Sequence, residues 1–285
     1  MEIIILGSGG FQTIPRPTCQ CGICKEARKK GTPYSRKGPA IYIKEIDVIF
    51  DTPKDIVNSI NQEGVKKINN IFYTHWHPDH TEGMRVVEEI TSAWTKKHPF
   101  VLKNNFKPIS VFIPDFIKND FLKLRSPKSS YFDFFVFKNF IKLNFISKNK
   151  PVKIKDVAIT YKKINSETSC YVIKNKTKKL VYLPCDVKPF ETYDFLENTD
   201  LFIVGSPFLE NKNGLGKIPL NHPLRKELFS LDEIVGLIKK FNIKKTIITH
   251  IEEMWGLSYT DYKNLEKTLT PYKIKFSFDG MKLKL

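Results

Sequence analysis

The chain reads as an α/β protein, and three observations carry that reading. Apolar runs of strand length recur from one end to the other, helical stretches fall between them, and several strands end on residues that carry chemistry. At 285 residues the chain can bury a large core, and nothing in it reads as a linker, so one domain spanning 1–285 is expected.

Taken in order, "EIIIL" at 2–6 is a buried strand closed by the glycine turn "GSGG". The runs "AIYIK" (40–44) and "VIFDT" (48–52) are three residues apart and predict a hairpin. A helix follows from Pro53, favourable in a first turn, through "KDIVNSINQEG", with Gly64 as its stop. "INNIFYT" is a strand, and "EGMRVVEEITSAW" has a helical period that puts Met84, Val87, Ile90 and Trp94 near one face. From 100 to 150 the chain becomes an aromatic-rich insertion: "FKPISVFIPDF" holds a strand, and "YFDFFVFKNFIKLNFI" reads as core plus an edge hairpin, with a flap beside the active site as the alternative. Strands resume at "VAITYKK", "SCYVIKN", "KLVYLPCD" and "DLFIVGS". "SLDEIVGLIKKFN" opens a helix with an N-cap serine and an acidic first turn, and "KTIITH" is a strand that ends on a histidine. No repeat of solenoid period is visible, while two halves of strands followed by helices suit a pseudo-duplicated fold.

Composition narrows the function classes. The formal charge of +17 is nearly all lysine, scattered in pairs along the chain. A basic surface attracts nucleic acid or phosphorylated small molecules, but AT-rich coding bias gives the same pattern, and neither a stacked aromatic platform nor clustered arginines is evident. Nucleic acid is therefore not the favoured partner. The start "MEIIILGSGG" lacks the basic residues and long apolar run of a secretory signal, and no apolar run approaches the roughly 20 residues that span a bilayer, so a cytoplasmic protein without membrane contact is expected. Three of five cysteines crowd into "CQCGIC" at 19–24, a spacing that points to metal or redox chemistry. The "GSGG" turn lacks dinucleotide-loop spacing, so Gly7, Gly9 and Gly10 are read as room for close packing.

The densest chemistry is "THWHPDH". His75 and His77, two apart in extended chain, point to one side and can grip one ion; Asp79 and His80 follow Pro78, where the chain turns into a helix and can present ligands to a second. These residues resemble the H-x-H-x-D-H signature of the metallo-β-lactamase fold. The likeness extends to "LGSGG", "CQCGICKEARKKG", "FDTPKDI", "THWHPDHTEGMR", "LPCD", "ITHI" and "FSFDGMKLKL". Over essentially its full length the chain resembles PhnP-type phosphodiesterases, relatives of the tRNA 3'-processing endonucleases (tRNase Z).

The resemblance implies an αββα four-layer sandwich with two divalent ions (Zn, Mn or Fe) in the active site. His75 and His77 would ligate the first, Asp79, His80 and His250 the second, and Asp186 of "LPCD" would bridge them. Such a pair would activate a hydroxide that attacks a small phosphodiester, a cyclic one included, and would polarise the phosphoryl group. Asp79 and His222 of "PLNHPL" are the expected catalytic residues, His222 as proton donor to the leaving group. The family's third histidine of the first site is missing here, and Asn165 stands nearest its place; an amide oxygen or a water there suits manganese or iron. The cysteine loop, 19–31, carries a structural zinc in the family. Here Cys19, Cys21 and Cys24 are the thiolates and Glu253 stands where the fourth ligand, a histidine, is expected. Cys185 and Cys170 read as packed strand residues and His98 as surface. Alternative functions are a tRNA-processing ribonuclease, against which stands the lack of a long basic arm, and a degenerate metal-binding accessory protein. A homodimer is compatible with the sequence.

Overall fold

The computed structural model describes residues 1–91, 107–189, 192–209 and 218–285. Its strands form two seven-stranded sheets. The first has the order β14 (Lys282–Lys284), β1 (Glu2–Gly7), β2 (Ala40–Ile43), β3 (Val48–Phe50), β4 (Asn70–Phe72), β5 (Ile109–Pro114), β6 (Ile141–Ile146). The second has the order β13 (Ile274–Phe276), β12 (Thr246–Thr249), β11 (Leu201–Gly205), β10 (Lys179–Leu183), β9 (Ser169–Lys174), β8 (Val157–Lys163), β7 (Val152–Ile154).

The period-two alternation of the strands builds three apolar layers. Ile3, Ile5, Ile41, Phe50 and Phe72 of the first sheet meet Ile159, Tyr171, Ile173, Tyr182 and Ile203 of the second in a shared core. Their neighbours Ile4, Leu6, Ile49 and Ile71 face the other way, against α2 (Ile56–Gln62), α4 (Val86–Thr91), α5 (Lys118–Lys123) and α6 (Tyr131–Phe137). Val172, Val181, Phe202, Val204 and Ile248 face outward on the second sheet, toward Ile234 and Ile238 of α8 (Leu231–Lys240) and Tyr262 and Leu265 of α9 (Tyr259–Thr268). Helix, sheet, sheet, helix is the expected four-layer α/β sandwich.

Local sequence accounts for the details. Helix α2 begins at Ile56 rather than Pro53, because the Asp55 carboxylate accepts from Gly38 N at 3.1 Å instead of capping the helix. Gly64, at φ 61°, ends it as expected. Helix α8 has a full capping box between Ser230 and Glu233. Two readings need correction. Ile90 is exposed, and Val86 joins Met84 and Val87 in the buried stripe, because the turn at Gly83, whose N–H donates to Thr52 O, resets the phase before α4 starts. Segment 131–146 is not a hairpin: α6 is followed by β6, which pairs parallel to β5 at the sheet edge, and the α5–α6 crossover makes that possible. Trp94, His98 and residues 100–106 of the insertion lie outside the described residues. Among the described residues no helix is long and apolar enough to cross a membrane.

Strands β3, β4 and β5 run parallel, as do β10, β11 and β12. Residues 74–80, 185–186 and 250 follow directly on the C-terminal ends of β4, β10 and β12, which is where open parallel sheets leave a crevice.

Candidate metal centre

The chain leaves β4 as Thr74–His75–Trp76–His77 and turns into α3 (Pro78–Thr81), with Pro78 at its first position. The Thr81 hydroxyl donates to the carbonyls of Trp76 and His77 at 3.0 and 3.1 Å, which fixes the turn. His75 and His80 are fully buried. Under them lies Asp51, also fully buried, at the end of β3 with φ 63°. Its carboxylate accepts from Thr74 N at 2.8 Å and from the Thr74 hydroxyl, and lies 2.9 Å from His80 Nδ1.

These bonds select the tautomers. A carboxylate only accepts, so His80 carries a proton on Nδ1 and turns Nε2 into the site. The Thr74 hydroxyl has one proton, given to Asp51, so at 2.9 Å it accepts from His75 Nδ1, and His75 Nε2 is left as a lone pair. Both Nε2 atoms are buried and have no hydrogen-bond partner among the described residues. Buried polar nitrogens are costly when unpaired, and two of them grouped with other ligand types fit a bound cation. Burial, then the charge of His80, pushes the His75 imidazole down to about 4, which keeps it neutral as a metal ligand must be.

The second sheet supplies the other wall. His250, at φ 54° after β12, sets Nε2 3.2 Å from Asp79 Oδ2 and Nδ1 3.2 Å from Glu252 Oε1. Asp79 Oδ2 is also 3.3 Å from His80 Nε2. Glu252 accepts from Phe11 N at 3.0 Å, and a Cβ on Gly10 would lie 1.7 Å from its Oε1. The glycine turn thus makes room for the acid that holds His250. Asp186, at φ 44°, brings Oδ2 within 3.7 Å of His77 Nδ1. Burial, then the neighbouring Cys185, raises its carboxyl to about 7, against the pull of His77.

The fold therefore gathers His75, His77, Asp79, His80, Asp186 and His250, six of the seven residues expected at the centre. Two clusters have ligand atoms all within 4.8 Å of one another: His75, His77, Cys185 and Asp186, and His80, Cys185 and His250. The residue common to both is Cys185; Asp186, which the resemblance implies as the bridge, belongs to the first. Asn165 is in neither cluster. Its side-chain oxygen accepts from Glu167 N and Thr168 N, and its amide donates to the carbonyls of Asp186 and Lys188. Both lone pairs are used, so Asn165 clamps the Asp186 backbone rather than replacing an imidazole.

His222 precedes α7 (Leu224–Glu227), and its Nδ1 accepts from Leu224 N at 3.3 Å. It belongs to neither cluster. Asp51 and Cys185 were not singled out as site residues in the sequence; the signals were an acid ending a buried strand in "VIFDT" and a cysteine beside a site acid in "LPCD".

The loop cysteines meet as their spacing suggested. Cys21 caps α1 (Gly22–Lys30), and Cys19, Cys21, Cys24 and Glu253 bring their ligand atoms within 4.8 Å of one another. Cys21 Sγ lies 2.8 Å from Glu253 Oε1, and Arg16 pairs with Glu253 Oε2 at 2.9 Å.

This architecture has solved counterparts. A diphosphatase of the PhnP family shares it at a TM-score of 0.71 and 20% identity, over 99% of this chain and 96% of that one. Zinc-bound PqqB from Methylobacterium extorquens matches at 0.73 and 16% over 100% of both chains. The metallo-β-lactamase fold protein YhfI from Bacillus subtilis matches at 0.69 and 14%, over 99% of this chain and 98% of its own. The chain has the metallo-β-lactamase fold. No protein-family model matches the sequence, and no curated protein matches it in sequence.

Within this metallo-β-lactamase fold the acid below the cluster gives a specific expectation. Asp51→Asn keeps the shape but loses the charge that orients the His80 ring, and should weaken metal binding by about 10–100-fold. Titration against a competing chelator measures this; unchanged affinity would show that Asp51 serves the fold alone.

Proposed function

We propose that the protein is a metal-dependent hydrolase that cleaves a small phosphodiester, cyclic ones included. The observation that carries the reading is the pair of buried Nε2 atoms of His75 and His80, unpartnered among the described residues, each ring with its Nδ1 proton fixed by a neighbour and each grouped with other ligand types. His75, His77 and Asp186 would hold one divalent ion, and Asp79, His80 and His250 the other. When bound, such a pair supplies Lewis acidity that lowers the pKa of water and stabilises charge on phosphoryl oxygens. The chain's part is orientation: Thr74 and Asp51 lock the two deepest imidazoles, Glu252 holds His250, and Asn165 holds the backbone at Asp186. His222 is proposed as proton donor to the leaving oxygen, and Cys19, Cys21, Cys24 and Glu253 as a separate zinc site. The similarity to a PhnP-family diphosphatase supports hydrolysis at phosphorus, and zinc-bound PqqB supports a zinc-compatible frame.

Metal analysis of purified protein, with turnover of bis(para-nitrophenyl) phosphate under zinc, manganese and iron, tests the reading. Metal beyond the loop equivalent and metal-dependent turnover are expected. No metal beyond the loop equivalent, with no turnover under any ion, would refute it. The same assay on His222→Ala reads the proton-donor role, which an unchanged rate would remove. Salt-sensitive tRNA binding with cleavage would move the substrate class to RNA, the direction the charge of +17 favours.

A further inference from the structure

The cysteine between β10 and Asp186 is the one side chain shared by both ligand clusters. Cys185 is buried at 8% exposure, and its sulfur stands within 4.8 Å of ligand atoms on His75, His77 and Asp186, and likewise on His80 and His250. Cys170 offers an internal contrast. It too is buried, but it packs among Val172, Val181 and other apolar side chains, as a cysteine used only for packing does. Cys185 instead is surrounded by imidazoles and a carboxylate.

The composition of the centre gives the sulfur a task. With Asn165 engaged by four backbone groups, the first cluster among the described residues has His75, His77 and Asp186 as its nitrogen and oxygen ligands, the exposed Glu167 carboxylate staying at its rim, 3.8 Å from His77 Nε2. Zinc-type ions take four ligands, nitrogen and thiolate sulfur being the preferred donors. We propose that the Cys185 thiolate is a metal ligand at this centre, completing the first position in place of the absent imidazole and contacting the second ion as well. On binding, the S–H bond is replaced by sulfur–metal bonds and the proton leaves to solvent.

The proposal rests on the metal-centre reading and deepens it by specifying the metal class. A thiolate turns an oxygen-and-imidazole site toward softer ions, so zinc, cobalt and iron gain over manganese. This removes manganese from the pair, manganese or iron, that an amide or water ligand favoured.

Cobalt(II) substitution decides the matter without reference to turnover, since thiolate-bound cobalt shows a near-ultraviolet charge-transfer band. The loop cysteines also give such a band, so the comparison uses the parent, Cys185→Ser with the loop intact, and a Cys19→Ser/Cys21→Ser/Cys24→Ser variant. The expected result is a band that loses part of its intensity in Cys185→Ser and persists in the loop variant. In addition, the zinc-to-manganese affinity ratio of the centre should fall at least about tenfold in Cys185→Ser. Equal cobalt content and equal band intensity in the parent and Cys185→Ser would overturn the thiolate ligand and leave the metal centre standing. Cobalt confined to one loop equivalent in the parent would overturn the centre itself. If the loop variant fails to fold, the parent and Cys185→Ser still decide, because both keep the loop.

Discussion

His80→Ala protein is expected to bind less metal per chain than the parent and to hydrolyse bis(para-nitrophenyl) phosphate at least about a hundredfold more slowly, since ion-paired stabilisation of a phosphoryl group accounts for several kcal/mol of its barrier. His80 is the ring on which the deepest bonds converge. It is fully buried, with Nδ1 2.9 Å from Asp51 and Nε2 3.3 Å from Asp79. Burial alone would lower its pKa, but the two carboxylates raise it well above the ordinary histidine value. The pocket is thus built to hold positive charge, carried by a proton on the free ring or by a metal ion. Removing the ring leaves Asp51 and Asp79 without that partner, and breaking a buried pair from one side costs roughly 3–5 kcal/mol. A variant with full metal content and the parent's rate would refute the assignment of His80 to the second ion.

Phe72→Ala should lower stability by about 3–5 kcal/mol, the range for truncating a buried aromatic. Phe72 is fully buried between the sheets, 4.4 Å from the ring of Phe112, 5.3 Å from Phe50 and 5.5 Å from Tyr171. The next residues anchor the metal loop across that interface. The Tyr171 hydroxyl donates to Tyr73 O at 2.7 Å, and the Ser169 hydroxyl to Thr74 O at 2.7 Å. A cavity at Phe72 therefore loosens the register between the sheets and the loop above them, and metal affinity should fall along with the denaturation midpoint. Urea unfolding at unchanged slope checks the first effect. A loss below about 1 kcal/mol would show that the surrounding rings collapse into the space.

The layered fold was legible because its strands alternate so regularly. Ile3 and Ile5 against Ile4 and Leu6, and Tyr171 and Ile173 against Val172, each declare two buried faces. The hairpin of β2 and β3, the capped start of α8 and the stop at Gly64 follow from local chemistry. Segment 131–146 was less readable, since a short apolar run has no period that separates helix from strand. Its first half satisfies Ser130 as an N-cap and becomes α6, and only pairing with β5 reveals the second half as a parallel edge strand.

By itself the sequence marked the histidines of "THWHPDH" and the loop cysteines as ligand types, because residue type and spacing are local properties, and its resemblance to a known family pointed to Asp186 and His250 at later strand ends. Only the tertiary structure decided which of them share a site and what stands beside them. Asp51 reaches His80 from 29 residues away, and Glu252 backs His250 because Gly10, on another strand end, leaves it space. Asn165 was drawn into the backbone around Asp186, and Cys185 was carried into the centre of both clusters. Those outcomes depend on where parallel strands from two sheets end relative to one another, a long-range relation fixed by the interface between the sheets and by no single segment of the chain.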